Sequence, residues 1–207
     1  MSKLIKIIVT GSIGAGKSTT CKIFEELEVP VFYSDKVAKD LMDANPFIVN
    51  KMKKEFGDDI YVNKKVDRKK LANIVFNDEK KLDRLNRIVH PWVSEAFEYF
   101  VFEYEHYGFK YPNVHYVIEE SAIGIELGLH EKFDYTIVVT ADEDVRIRRT
   151  MERDNCSEES VRERMKNQLP DEEKVNHADF VIVNNDFPNL ECQVKSIHKK
   201  ILESIKK

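Results

Sequence analysis

Gly11-Ser12-Ile13-Gly14-Ala15-Gly16-Lys17-Ser18-Thr19 decides the reading of this chain. It fits the phosphate-loop pattern G-x-x-x-x-G-K-[ST] without a mismatch. Leu4-Ile5-Lys6-Ile7-Ile8-Val9 precedes it, an apolar run that predicts a buried parallel strand. Behind it, apolar Ile23, Phe24 and Leu27 recur at helical spacing. Strand, glycine loop and helix are the context in which the motif works. Glycines let the backbone approach an anion without Cβ obstruction. Successive N–H groups and the positive helix end then form a nest for phosphate oxygens. Lys17 reaches the outer phosphates, and the Ser18 hydroxyl is a ligand for Mg²⁺.

Bulk composition sets the frame. At 207 residues the chain can bury a substantial core, and its 34% charged beside 42% hydrophobic content is that of a globular domain. A net charge of −4 argues against a dedicated nucleic-acid binder. No run approaches the ~18 apolar residues of a membrane helix, and no signal peptide is legible. Cys21, Cys156 and Cys192 are far apart, with no metal-binding or disulfide spacing, so a cytoplasmic setting is expected.

Outward from the loop, residues 29–34 predict a second strand ending at Asp35. Ligands in open parallel sheets lie beyond the carboxyl ends of strands, which makes Asp35 either a catalytic base or a helix cap. From Lys36 to about Lys110, helical stretches follow one another with almost no strand signal: 36–43, 47–56, 68–75 and 79–106. Proline at 91 predicts a kink or restart in the last of these. Its aromatic stripe, from Trp92 to Tyr107, reads as packing surface.

Further strands are predicted at 114–118, 135–140 and 179–185. Glu119, Glu120 and Ser121 follow the first of these, as helpers for Mg²⁺ through water or as solvated loop acids. Arg146, Arg149 and Arg153 share one face of a helix over 142–153, and a second helix over 157–168 adds Arg162 and Arg164. Such a hairpin predicts a lid closing on phosphates, against the alternative of a solvated face paired with Glu143, Glu152 and Asp154. Residues 190–205 form an amphipathic helix. The pattern is α/β: a doubly wound, five-stranded parallel sheet of the P-loop NTPase kind, with a helical insertion and a helical lid. Expected segments are a nucleotide-binding core over 1–35, 111–145 and 177–207, an insertion over 36–110 and a lid over 146–176.

A switch GTPase would need Asp-x-x-Gly and Asn-Lys-x-Asp strings, and neither occurs. A small-molecule kinase fits the segments, and a nucleotide-sensing binding protein is the rival from another class. Several motifs then act together: Thr10 to Thr19, Asp35, Leu85-Asn86 to His90-Pro91, Arg146, Arg149, the run Met151 to Asp154, Arg164 to Gln168, and Ala178-Asp179 to Asn184. In these, and in their order along nearly the whole chain, the sequence resembles the dephospho-CoA kinase family.

The resemblance implies transfer of the ATP γ-phosphate to the ribose 3′-hydroxyl of dephospho-CoA, the last step of coenzyme A biosynthesis. It implies ATP and Mg²⁺ held by Gly11, Gly14, Ala15, Gly16, Lys17, Ser18 and Thr19, with Asn184 near adenine and Ser18 on the metal. Asp35, Lys17 and Arg149 are the implied catalytic residues, and Asp35, His90 and Glu126 face the acceptor. ATP and dephospho-CoA are the expected partners, with no nucleic acid or membrane, for a monomer or weak homo-oligomer. Two departures stand out. Ser12 replaces a loop glycine, and Ala122-Ile123-Gly124-Ile125-Glu126 carries Gly124 where the family has a large side chain, predicting a looser pocket wall.

Overall fold

The computed structural model describes residues 4–75, 78–107 and 113–205. The parts of the expected core and insertion that fall on 1–3, 76–77, 108–112 and 206–207 lie outside the described residues. The chain divides into two compact units, one comprising Met1–Tyr33 and Val101–Lys207, the other Ser34–Phe100.

The first unit is built on β1 (Ile5–Thr10), β2 (Val31–Tyr33), β5 (Tyr116–Glu120), β6 (Tyr135–Thr140) and β7 (Phe180–Val183), in the order β2-β5-β1-β6-β7. All four pairings are parallel. β1 is central, and Ile7, Ile8 and Val9 are fully buried. A strand covered on both faces cannot alternate apolar and polar residues, which is why this run is continuous. Full burial of each such side chain contributes about 1.5–3 kcal/mol. α1 (Lys17–Glu26) and α9 (Phe187–Ile205) pack together, and Phe24, Leu190, Val194 and Ile201 join β1 in one core. The chain leaves β1 toward β2 on one side and later reaches β6 on the other, so the loop after β1 sits at the switch point of the sheet.

Two polar residues bracket β7. Thr136 N–H donates to Asp179 Oδ2 at 2.8 Å, and Asn184 N–H donates to the Thr140 carbonyl at 2.8 Å. On the outer edge of β7, Gln193 takes both peptide groups of Val183. The Val183 N–H donates to Gln193 Oε1 at 3.0 Å, and Gln193 Nε2 donates to the Val183 carbonyl at 2.8 Å.

α6 (Glu143–Asp154) and α7 (Glu158–Lys166) form the expected hairpin. Asn155 closes α6 in a left-handed conformation (φ 48°), and Ser157 caps α7 by accepting from Ser160 N–H. A short helix, α8 (Asp171–Val175), returns the chain to β7 and is not foreseen by periodicity.

The second unit contains α2 (Ser34–Ala44), α3 (Pro46–Phe56), α4 (Arg68–Val75) and most of α5 (Glu79–His106). Asn45 caps α3 by accepting from Phe47 N–H and Ile48 N–H, with Pro46 at the first position. Three expectations are corrected here. A small antiparallel pair, β3 (Tyr61–Val62) with β4 (Lys65–Val66), interrupts the helices, and strands this short leave no alternation to read. Of the kink or restart expected at Pro91, the restart does not occur, since α5 runs through it as one helix. The aromatic stripe is not uniformly packing surface: Phe97 is buried, whereas Tyr99 and Phe102 are exposed.

Candidate active site

The loop between β1 and α1 has the geometry of an anion cradle. Gly11 (φ 145°) and Gly16 (φ 95°) adopt backbone conformations that side chains disfavour. A Cβ on Gly11 would lie 2.0 Å from the Val139 carbonyl oxygen, and one on Gly16 would lie 2.1 Å from Asn184 Nδ2. Gly14 rests against the Arg146 carbonyl and the Thr150 hydroxyl. Ser12 is absent from the positive-φ positions, so replacing glycine there carries no backbone strain. Gly16 occupies the N-cap of α1, whose first turn has no acidic residue to offset the positive helix end. Ala15 is buried, while Ser18 and Thr19 are exposed on that turn.

Lys17 Nζ donates to the Gly11 carbonyl at 2.8 Å and to that of Ser12 at 3.4 Å, so the ammonium is folded over its own loop. Asn184, 4% exposed, donates through Nδ2 to the Ala15 carbonyl at 2.8 Å. Its side chain grips the loop from behind. Burial, reinforced by Glu120, pushes the Cys21 thiol up, with Lys17 acting in the opposite direction, which makes Cys21 a packed side chain rather than a nucleophile.

Glu119 and Glu120 are not loop acids. Both are buried within β5, where Glu120 pairs in register with Val9 and with Tyr33. Among the described residues no group of three or more His, Cys, Asp and Glu could hold a metal ion.

The hairpin arginines divide by role. Arg146 is buried, donates from Nε to the Ala141 carbonyl at 2.9 Å, and lies 3.6 Å from Asp171. Arg149 Nη1 donates to the Asn184 carbonyl at 2.7 Å, and Nη2 to that of Asn185 at 3.4 Å. Arg153 and Arg164 converge on Asp154 at 2.8 and 2.6 Å, and hold its carboxyl at about 2. Arg162 pairs with Glu143 and Glu158. The solvated-face reading thus describes Arg153 and Arg162, whereas Arg146 and Arg149 are built into the surroundings of the loop.

Glu126 points at the return of the hairpin. Its Oε1 accepts from Leu169 N–H at 3.2 Å and lies 2.8 Å from Nζ of Lys174, which has no exposed surface. The Lys174 contact is an ion pair outside hydrogen-bond geometry. At Gly124 the space for a side chain is filled by Ile8, whose Cδ1 would lie 2.5 Å from an added Cβ. The looser wall expected there is therefore closed by a core side chain.

In the second unit, α2 begins at Ser34, so Asp35 is an exposed first-turn acid rather than a cap. His90 is half-buried on α5. Burial lowers its pKa from the ordinary 6.5, and the charge of Asp35 pulls the other way. Two of the three expected acceptor residues, Asp35 and His90, thus influence one another electrostatically.

Sequence reasoning missed Asp171, Thr140 and Lys174 as parts of this region. Pro170 followed by Asp171-Glu172-Glu173 is a helix-start signal that would have found α8.

A parallel sheet with this loop at its switch point defines a P-loop nucleotide-binding protein. The dephospho-CoA kinase family profile (CoaE) matches residues 5–189. A dephospho-CoA kinase of Chlorobaculum tepidum is 36% identical over 200 residues, spanning 94% of this chain and 93% of the relative. Among solved structures, a Thermus thermophilus protein superposes with a TM-score of 0.79 at 28% identity, covering 96% of this chain and 98% of the other. The dephospho-CoA kinase of Campylobacter jejuni does so with a TM-score of 0.65 at 27% identity, again covering 96% and 98%. The chain belongs to the dephospho-CoA kinase family, and is accordingly a kinase, a nucleotide-binding transferase of coenzyme A biosynthesis. No helix among the described residues is long and apolar enough to cross a membrane.

Proposed function

We propose that the chain transfers the γ-phosphate of ATP to the ribose 3′-hydroxyl of dephospho-CoA, as the last step of coenzyme A biosynthesis. The observation that carries this reading is the anion cradle at Gly11–Thr19 in a chain matched by dephospho-CoA kinases along nearly its full length. Phosphoryl transfer asks a protein chiefly for positioning and charge stabilisation. In this reading Gly11, Gly14, Ala15, Gly16 and Thr19 hold the phosphates. Lys17 leaves its loop carbonyls to meet the outer phosphates, and Arg149 stabilises the transferring group. Asn184 supports the adenine end and the back of the loop. Asp35 orients or deprotonates the acceptor hydroxyl, and its exposed, first-turn position suits a group that must meet a ligand. His90 and Glu126 serve the acceptor side, Glu126 through the segment it fastens.

Mg²⁺ fits the residues present, because a cation that keeps several waters needs few protein ligands. Ser18, an exposed hydroxyl on the first turn of α1, would hold the ion, with a carboxylate of Glu119 or Glu120 to back it through water. When bound, the ion neutralises charge on the phosphates. The working division is a core of 1–35, 111–145 and 177–207, an acceptor-binding insertion of 36–110, and a lid of 146–176. Free thiols at Cys21, Cys156 and Cys192 support a cytoplasmic setting, and we assign a monomer or weak homo-oligomer.

The test is ADP release from ATP with dephospho-CoA, set against a panel of nucleosides and sugars. Turnover confined to dephospho-CoA, with phosphate placed on the 3′-oxygen by phosphorus NMR, is the expected result. Turnover with a nucleoside instead would reassign the acceptor. ATP binding without acceptor-dependent turnover would make the chain a nucleotide sensor.

A further inference from the structure

The tip of the phosphate loop is held from outside, by residues belonging to neither the loop nor α1. Ile13 N–H donates to Gln168 Oε1 at 2.8 Å, and Gln168 Nε2 donates to the Ala122 carbonyl at 3.2 Å. Next to Ile13, the Ser12 hydroxyl, 3% exposed, donates to Asp171 Oδ1. The other oxygen of Asp171 accepts from Thr140 Oγ1 at 2.5 Å and lies 3.6 Å from Arg146 Nε. Two adjacent tip residues are therefore fastened by one short segment, through a main-chain amide in one case and a side-chain hydroxyl in the other. That segment is itself anchored, because Glu126 Oε1 accepts Leu169 N–H and pairs with the fully buried Lys174.

We propose that Gln168 and Asp171 are positioning residues that keep the Ser12–Ile13 tip in its phosphate-accepting shape. A loop with glycine at 11, 14 and 16 has few side chains of its own to hold it, and ordering such backbone is costly. External bonds offset that cost before the nucleotide arrives, and bonds to a carboxylate are the strong ones. Gln168 lies between α7 and α8 and Asp171 opens α8, both at the root of the arginine hairpin. The shape of the loop and the seating of that hairpin thus share the same bonds. Neither residue touches the reacting atoms in this scheme. Both act through Ser12 and Ile13.

The inference rests on the reading of the loop as the ATP site, and the experiment separates the two. ATP affinity is measured by calorimetric titration for the wild type, Gln168→Met, Ser12→Ala, Asp171→Asn and the Ser12→Ala/Asp171→Asn double variant. Steady-state KM is measured for each substrate, and melting temperature is followed alongside. Gln168→Met keeps the side-chain volume and removes both hydrogen bonds. We expect it to weaken ATP about three- to tenfold, the scale of one or two hydrogen bonds, with KM for dephospho-CoA unchanged. The double variant should be no weaker than the weaker single one, because both substitutions act on the same contact. Unaltered ATP affinity in Gln168→Met, or strictly additive losses in the Ser12/Asp171 cycle, would overturn the proposal while leaving the ATP site intact. A wild type that does not bind ATP would remove both. If Asp171→Asn fails to fold, Gln168→Met decides the matter alone.

Discussion

Asn184 donates its side-chain amide to the carbonyl oxygen of Ala15 at 2.8 Å, across a separation of 169 residues. The contact ties the exit of β7 to the middle of the phosphate loop, and Gly16 is required because any Cβ there would strike the same nitrogen. Asn184→Ala leaves a buried carbonyl without its donor. It should cost about 1–3 kcal/mol of stability and weaken ATP as well. Urea unfolding and nucleotide titration on the same preparation check both parts.

Lys17→Ala should separate chemistry from folding. The ammonium bonds main-chain carbonyls of its own loop, at Gly11 and Ser12. Turnover should fall by about 10²-fold or more, the scale of losing one preorganised charge-stabilising group, while the melting temperature changes little. An unfolded variant would contradict this.

Asp35→Asn should keep ATP affinity and lower turnover by about 10²-fold or more, the range of general-base assistance. Near-normal turnover would reduce Asp35 to a first-turn acid that complements the dipole of α2.

Arg149→Ala tests the hairpin. Its guanidinium reaches the Asn184 and Asn185 carbonyls from a half-buried position, so its loss should shift the melting temperature only slightly. Turnover should drop at least about tenfold if the cation also stabilises the transferring phosphate. Unchanged kinetics would make it a brace for the β7 exit.

His90 supplies a pH test. Its pKa is lowered from 6.5 by burial, so between that value and the folded one the unfolded chain binds a proton that the folded chain does not. Its contribution is therefore complete above the ordinary value and is lost as pH falls below it. The urea midpoint should decline between pH 7 and pH 5, and part of that decline should vanish in His90→Gln. Asp35→Asn removes the opposing charge and should steepen the decline.

Much of this molecule is legible in its sequence. The parallel strands and the loop were readable because burial on both faces writes long apolar runs, and the loop writes glycine at fixed spacing. The Ser157 cap of α7 is a local signal, because its partner, Ser160 N–H, lies three residues on. What escaped reading depends on distant partners. The pairing of Asp171 with Ser12, or of Lys174 with Glu126, leaves no periodic trace, since each joins positions far apart in the chain. Glu119 and Glu120 read as residues beyond the strand, whether Mg²⁺ helpers or loop acids, because charge rarely ends a strand, yet the register with β1 keeps both inside. The two-residue strands β3 and β4 were too short for alternation to register.

The carboxamide of Gln193 has a consequence for how copies of this chain meet. An outermost strand ordinarily invites a neighbour to add itself, since its peptide groups point at nothing. At Val183 both groups are already satisfied from within, by a side chain that imitates one rung of a sixth strand. Replacing Gln193 by an apolar residue would reopen that rung, and crowded, destabilised molecules would then have a template for joining edge to edge.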